Sequence, residues 1–290
     1  MGILIIIFVS LLWSMVGIFV KFSAEMVDSS TITFMRFFIG VVMLSIIYVI
    51  KYGRPRIRTA DRWIWTGAIG KSANYFLENI GIIIGLSYGY IVAAPIYNVL
   101  LLLASAFILK EMITRKDWIG AVLSIAGVMM IMLDGKSLTE MLQDKGIVHL
   151  IFIFSAFGVA AHMLSQKKLV QRMDPLIMNL SVFFWCTVIS AVPFSVMHEF
   201  QEFQFSSLFS LIALGSITGL SFVLFSHALR TVPLFLATLI SNFSILFTVL
   251  WGVLFFGEPV SGHVVSGVIL FTIGMIIGNW PTRRQLNNSN

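Results

Sequence analysis

The chain has 290 residues, 58% of them hydrophobic and only 11% charged, with a formal net charge of +6. A soluble domain carries about 25% charged residues, so the composition excludes one and calls for an integral membrane protein. The positive charge does not indicate nucleic acid, because the basic residues sit in short loops between apolar runs; Cys186, the single cysteine, excludes a disulfide framework.

The apolar runs exceed about 18 residues many times over, which predicts helices and not the alternating segments of an outer-membrane barrel. The first, opening Met-Gly-Ile-Leu-Ile-Ile-Ile without a basic n-region, is expected to be a transmembrane helix and not a cleaved signal. Ten helices are predicted: Ile3–Val20, Thr31–Ile50, Trp63–Gly85, Tyr90–Leu109, Trp118–Leu133, Ile147–Ser165, Leu176–Met197, Leu208–Leu229, Leu234–Phe256 and Val264–Trp280. Ser87-Tyr88-Gly89 reads as a tight turn, and Pro233 as a break before the ninth helix.

Charge sets the expected orientation. Lys51, Arg54, Arg56, Arg58 and Arg62 follow the second helix, and Lys110, Arg115 and Lys116 the fourth. Lys167, Lys168 and Arg172 follow the sixth, Arg230 the eighth, and Arg283 and Arg284 the tenth. The opposite loops hold only Lys21, Lys136 and Lys145, so both termini are expected to be cytoplasmic. Trp63, Trp65, Trp118 and Trp280 fall at cytoplasmic ends, as interfacial anchors should.

An internal repeat appears when the halves are overlaid. Glu111 and Glu258 stand 147 positions apart, and the same offset matches Leu77 with Leu224, Gly120 with Gly267, Leu123 with Leu270 and Gly127 with Gly274. An offset of 146 sets Asp28 on Asp174 and Phe37-Phe38 on Phe183-Phe184. A unit of five helices is odd, so its second copy enters from the opposite side, the inverted-repeat signature of secondary transporters. The expected fold is an all-α polytopic membrane protein of ten transmembrane helices in two inverted five-helix repeats. Residues 1–135 form the first repeat, 136–146 an external linker, 147–280 the second repeat and 281–290 a disordered cytoplasmic tail.

The third helix carries ionisable residues inside an apolar span, a cost of about 2.5–3.5 kcal/mol each on insertion scales. Lys71, Asn74, Tyr75 and Glu78 fall at i, i+3, i+4 and i+7, one helix face. Counted from Arg62, Lys71 lies about 14 Å into the span, near the bilayer midplane. This face is expected to line a solute-binding cavity, with Glu78 as a group for charge recognition or proton coupling; a Lys71–Glu78 pair within one helix is the competing reading. The repeat offset carries the face onto Thr218, Ser221, Phe222 and Phe225 in the eighth helix. Aromatic rings with one acid and one base suit a zwitterion or an amine.

Trp13-Ser-Met-Val-Gly17-Ile-Phe-Val-Lys21, Arg36-Phe37, Lys110-Glu111, the Gly120 and Gly127 spacing, and Phe256-Gly257-Glu258-Pro259 stand out as motifs, and together they resemble the EamA branch of the drug/metabolite transporter superfamily. The similarity covers nearly the whole chain. It implies five-plus-five helices around a central cavity that moves small organic solutes by alternating access. Phe157 stands where a tryptophan is common, and Val182 where the first half has Arg36.

Each further candidate carries two readings. Trp13 is a cavity wall or core packing; Arg36 binds an anion, gates, snorkels or packs. His162 lines the cavity or is a satisfied packing histidine, and Tyr97 faces the second half from beside Pro95, a possible hinge. Glu111 and Glu258 are expected to cap helices or latch a gate. With no phosphate loop, metal-spaced cluster or nucleophile constellation, neither catalysis nor a cofactor is expected. The functional expectation is a secondary transporter for a small polar or amphipathic metabolite of amino-acid, amine or carboxylate type, placed in a bacterial cytoplasmic membrane and coupled to a proton or another ion. A flippase for a lipid-linked carrier and a non-transporting scaffold or sensor remain open.

Overall fold

The computed structural model describes residues 2–85 and 93–279, the side chains of residues 95, 132, 138, 141–145 and 279 excepted. The turn expected at Ser87-Tyr88-Gly89, the anchor Trp280 and the tail over 281–290 lie outside the described residues. Twelve helices run through the rest: α1 (Gly2–Ser14), α2 (Val16–Ala24), α3 (Ser29–Tyr52), α4 (Arg62–Ile84), α5 (Ala93–Phe107) and α6 (Arg115–Leu133), then α7 (Leu138–Val170), α8 (Pro175–Met197), α9 (Phe205–Ala228), α10 (Leu234–Ser241), α11 (Ser244–Phe256) and α12 (Gly262–Asn279). Among the described residues six segments are long and apolar enough to cross a membrane: Gly2–Ala24, Ser29–Tyr52, Gly146–Val170, Pro175–Met197, Phe205–Ala228 and Leu234–Phe256. α4 is as long as these, but Lys71, Asn74, Glu78 and Asn79 make it too polar to join them by composition.

Two spans expected to be continuous are broken. The first breaks at Met15, between α1 and α2. Ser10 and Ser14 turn their hydroxyls back onto the carbonyls of Ile7 and Leu11, both at 2.7 Å, a contact that bends helices. The Ser14 carbonyl then accepts from Thr248 Oγ1 at 3.2 Å, and Trp251 Nε1 donates to Ser14 Oγ at 3.0 Å. Helix α11 thus donates through Thr248 to a backbone carbonyl that lipid has no means to satisfy, and through Trp251 to the Ser14 side chain. The second break falls at Asn242-Phe243, where Asn242 Oδ1 accepts from the Tyr97 hydroxyl. A third difference concerns the linker: Ser137 caps α7 in a capping box with Glu140, so most of the connection expected over 136–146 is helical.

The helices pack in an exchanged pattern. α4 lies along α7 as α1 and α2 lie along α9, while α3 meets α8 and α6 meets α12. At the last crossing a Cβ on Gly120 would meet the Gly274 carbonyl oxygen at 2.7 Å, and one on Gly127 the Gly267 oxygen at 2.6 Å. Gly267 and Gly274 are the repeat equivalents of Gly120 and Gly127, so equivalent positions swap partners as a two-fold axis requires. The glycines let two backbones approach where lipid offers no hydrophobic drive for association.

Candidate functional site

Where the broken spans converge on α4, a cavity opens between the two halves. α4 turns Lys71, Asn74, Tyr75 and Glu78 into it, and α3 adds Arg36. Trp13 and Val16 flank the first helix break, and Thr238, Ser241 and Ser244 flank the second. Tyr97 of α5, Val159 and Met163 of α7 and Phe222 of α9 complete the wall. Discontinuous helices at a cavity shared by two repeats are a recurring transporter arrangement, because unwound backbone is tolerated only where protein or water satisfies it.

The charges are held by a chain of polar contacts. Lys71 Nζ donates to Asn74 Oδ1 at 2.8 Å and stands 3.9 Å from the Tyr75 ring centre and 4.6 Å from that of Phe222. Asn74 Nδ2 reaches Glu78 Oε2 at 3.2 Å and Ser155 Oγ at 2.8 Å. Arg36 is buried; its Nη1 donates to Asn79 Oδ1 at 2.9 Å and lies 3.5 Å from Glu78 Oε1. Asn79 Nδ2 in turn donates to Thr33 Oγ1 at 2.8 Å. Arg36 Cζ lies 3.5 Å from the centre of Tyr75, which stacks on Phe37 at 5.1 Å. Lys71 and Glu78 therefore do not pair with each other: Asn74 sits between them, and Glu78 turns to Arg36.

The model of the EamA-like transporter family matches residues 1–133 and again residues 146–280. The chain belongs to the EamA-like transporter family. It is a multi-pass membrane protein of the drug/metabolite transporter type, built as two repeat halves. A solved structure titled "Crystal structure of protein" is similar over 96% of this chain and 98% of its own, at 17% identity and a TM-score of 0.78. That likeness concerns the fold alone. No curated protein matches the chain significantly.

In this EamA-family transporter three residues expected at the cavity wall stand behind it. Ser221 Oγ accepts from Trp13 Nε1 at 2.8 Å and fixes the indole, whose ring centre lies 5.1 Å from Phe222 and 5.2 Å from Phe225. Phe225 is thus a backing layer. His162 is buried, with Nδ1 3.1 Å from the Gly67 carbonyl and its ring edge-on to Phe222 at 4.9 Å. Gln166 lies against its Nε2 at 3.3 Å and continues through Asn179 and Ser226, a closed network joining α7, α8 and α9. The packing reading of His162 is the one its contacts match. Pro95 falls near the start of α5 and its side chain lies outside the described residues. Sequence reasoning missed Thr238, Ser241 and Met163 at the wall and Asn79 as the partner of Arg36. The repeat offset pairs Tyr97 with Ser244, and both stand at the wall; nothing in the pattern of the third predicted helix singled out Asn79.

Equivalent ion pairs stand at the two ends of the EamA fold. Lys21 Nζ meets Glu258 Oε1 at 2.8 Å, where α2 and α11 end. Lys167 Nζ lies 3.5 Å from Glu111 Oε1 and donates to the carbonyls of Leu229 at 2.9 Å and Val232 at 2.8 Å. Both carboxylate oxygens of Glu111 also accept from the Leu234 amide at 3.2 Å, capping α10.

Proposed function

We propose that this protein is a secondary transporter carrying a small polar or amphipathic metabolite of amino-acid, amine or carboxylate type across the cytoplasmic membrane by alternating access. In this reading ten spans form two inverted five-helix repeats, both termini are cytoplasmic, and the repeats rock about the cavity. The observation that carries it is the shared wall: Trp13, Arg36, Lys71, Tyr75, Glu78 and Tyr97 come from the first half, and Val159, Met163, Phe222, Thr238, Ser241 and Ser244 from the second. A solute held there touches both halves, so relative motion of the halves exposes it to one side and then the other. Lys21–Glu258 and Lys167–Glu111 act as latches at opposite ends, and Glu78, paired with Arg36, is the coupling group.

Counterflow into proteoliposomes tests the proposal with a labelled panel of amino acids, amines and carboxylates. Accumulation of at least one solute, lost in Phe222→Ala, is the expected result. Wild-type vesicles that accumulate none of the three classes contradict it.

A further inference from the structure

The cavity holds two cations and one carboxylate, and the geometry shows how they are committed. Arg36 and Lys71 both lie within 4 Å of the Tyr75 ring centre. The only carboxylate among the wall residues is Glu78, 3.5 Å from Arg36, while Lys71 has no carboxylate within 4 Å among the described residues. Its ammonium has one hydrogen bond, to Asn74, and otherwise the faces of Tyr75 and Phe222. Arg36 is only 1% exposed, and its Nε has no hydrogen-bond partner among the described residues. A guanidinium donates through five N–H bonds in a fixed fork, and here the Asn79 contact uses one nitrogen of it. A buried charge without a counter-charge is costly, and an unmade buried hydrogen bond adds to that cost.

We infer that the transported solute supplies the missing partner: a monoanionic carboxylate bound by Lys71 and the unfilled edge of Arg36, with an aromatic or apolar body against Trp13, Tyr97 and Phe222. One negative charge balances the one excess positive charge, so a carboxylate fits where a phosphate dianion leaves the site negative. A free amine meets the reverse problem, because Glu78 already faces Arg36. The rings give the rest of the molecule flat apolar surface, and the indole is fixed for that purpose by its bond to Ser221. Arginine suits the head group because its planar fork matches a carboxylate in two parallel bonds.

This inference rests on the transporter reading for the word transported; binding itself is read at equilibrium, so the two fail separately. Isothermal titration of the purified full chain compares phenylacetate with its neutral isostere phenylacetamide, with phenethylamine and with phenyl phosphate. Phenylacetate should bind at least about tenfold tighter than phenylacetamide, equivalent to about 1.4 kcal/mol, and tighter than the amine or the phosphate. Lys71→Met should erase the preference over phenylacetamide and Lys71→Arg should retain it. Equal binding of acid and amide by the wild type, tighter binding of amine or phosphate, or an unchanged preference in folded Lys71→Met overturns the inference. If Lys71→Met does not fold, the wild-type comparison and Lys71→Arg decide. Phenylacetate that binds as expected yet shows no counterflow leaves the site standing and removes the transport reading.

Discussion

Lys167 lies 3.5 Å from Glu111, and their repeat equivalents, Lys21 and Glu258, meet at 2.8 Å at the other end of the molecule. Each pair joins a helix of one half to the end of a helix in the other. Lys167 stands beside the carbonyls of Leu229 and Val232, and a Cβ on Gly2 would meet Thr231 and Val232 at 2.9 Å, so this end is where the first span starts. Lys21 closes the end where that span finishes.

Breaking one latch should bias the cavity toward the end it closes. A part-buried pair deprived of one partner loses about 1–3 kcal/mol. Lys21→Met and Glu111→Gln are therefore expected to raise thiol labelling of a cavity cysteine from opposite sides of the membrane, each by about tenfold, or about 1.4 kcal/mol. Impermeant thiol reagents on oriented vesicles measure this; the same side responding to both variants rules out opposed latches.

Glu78→Gln should tighten carboxylate binding. The Glu78 carboxylate stands 3.5 Å from Arg36 and competes with an incoming anion for it. The charged groups facing it are Arg36 from α3 and Lys71 on its own helix; the wall residues of α1, α2, α5, α7, α9, α10 and α11 are uncharged. Glutamine is fixed in the neutral form. Isothermal titration of phenylacetate reads the gain, and an affinity equal to that of the wild type contradicts competition between Glu78 and the solute for Arg36.

Lys110→Gly should stabilise the protein. Lys110 has a φ of 56°, and its repeat equivalent Gly257 has a φ of 60°. The second half meets this left-handed turn with glycine, whereas the first holds a lysine in a conformation costing about 1 kcal/mol. Lys110 is exposed, so its side chain leaves no cavity when removed. A melting temperature higher by a few degrees is expected, and a lower one contradicts the account.

Gly127→Ala should act in the opposite direction. A Cβ there would lie 2.4 Å from the Phe271 amide nitrogen and 2.6 Å from the Gly267 carbonyl oxygen, both backbone atoms with little freedom to move. Overpacking of this kind costs about 1–3 kcal/mol. Thermal melting in detergent measures the loss; an unchanged midpoint means the α6–α12 crossing is looser than its backbone contacts imply.

The sequence carried the helices and the polar face of α4 because both are local periodicities. Lys71, Asn74, Tyr75 and Glu78 share a face by spacing alone, and all four reach the cavity wall. The two helix breaks were not legible, since the contacts that hold them are long-range: Thr248 and Trp251 on Ser14, and Tyr97 on Asn242. Glu78 turns to Arg36 and not Lys71 because Asn74 occupies the space between them, and no spacing rule anticipates that. His162 carried both a wall reading and a packing reading from its helix face, and its contacts match packing: Phe222 stands edge-on against its ring and Gln166 lies against its Nε2.

Alternating access is tested most directly at Ser241, which lies on the cavity wall beside the second helix break. Cys186, the single native cysteine, is buried, so Ser241→Cys provides one reactive thiol against a quiet background. Membrane-impermeant reagents applied separately to each face of reconstituted vesicles should label it from both sides, and phenylacetate should slow both reactions. Labelling confined to one face, under every condition of solute and latch variant, contradicts a cavity that opens alternately to each side.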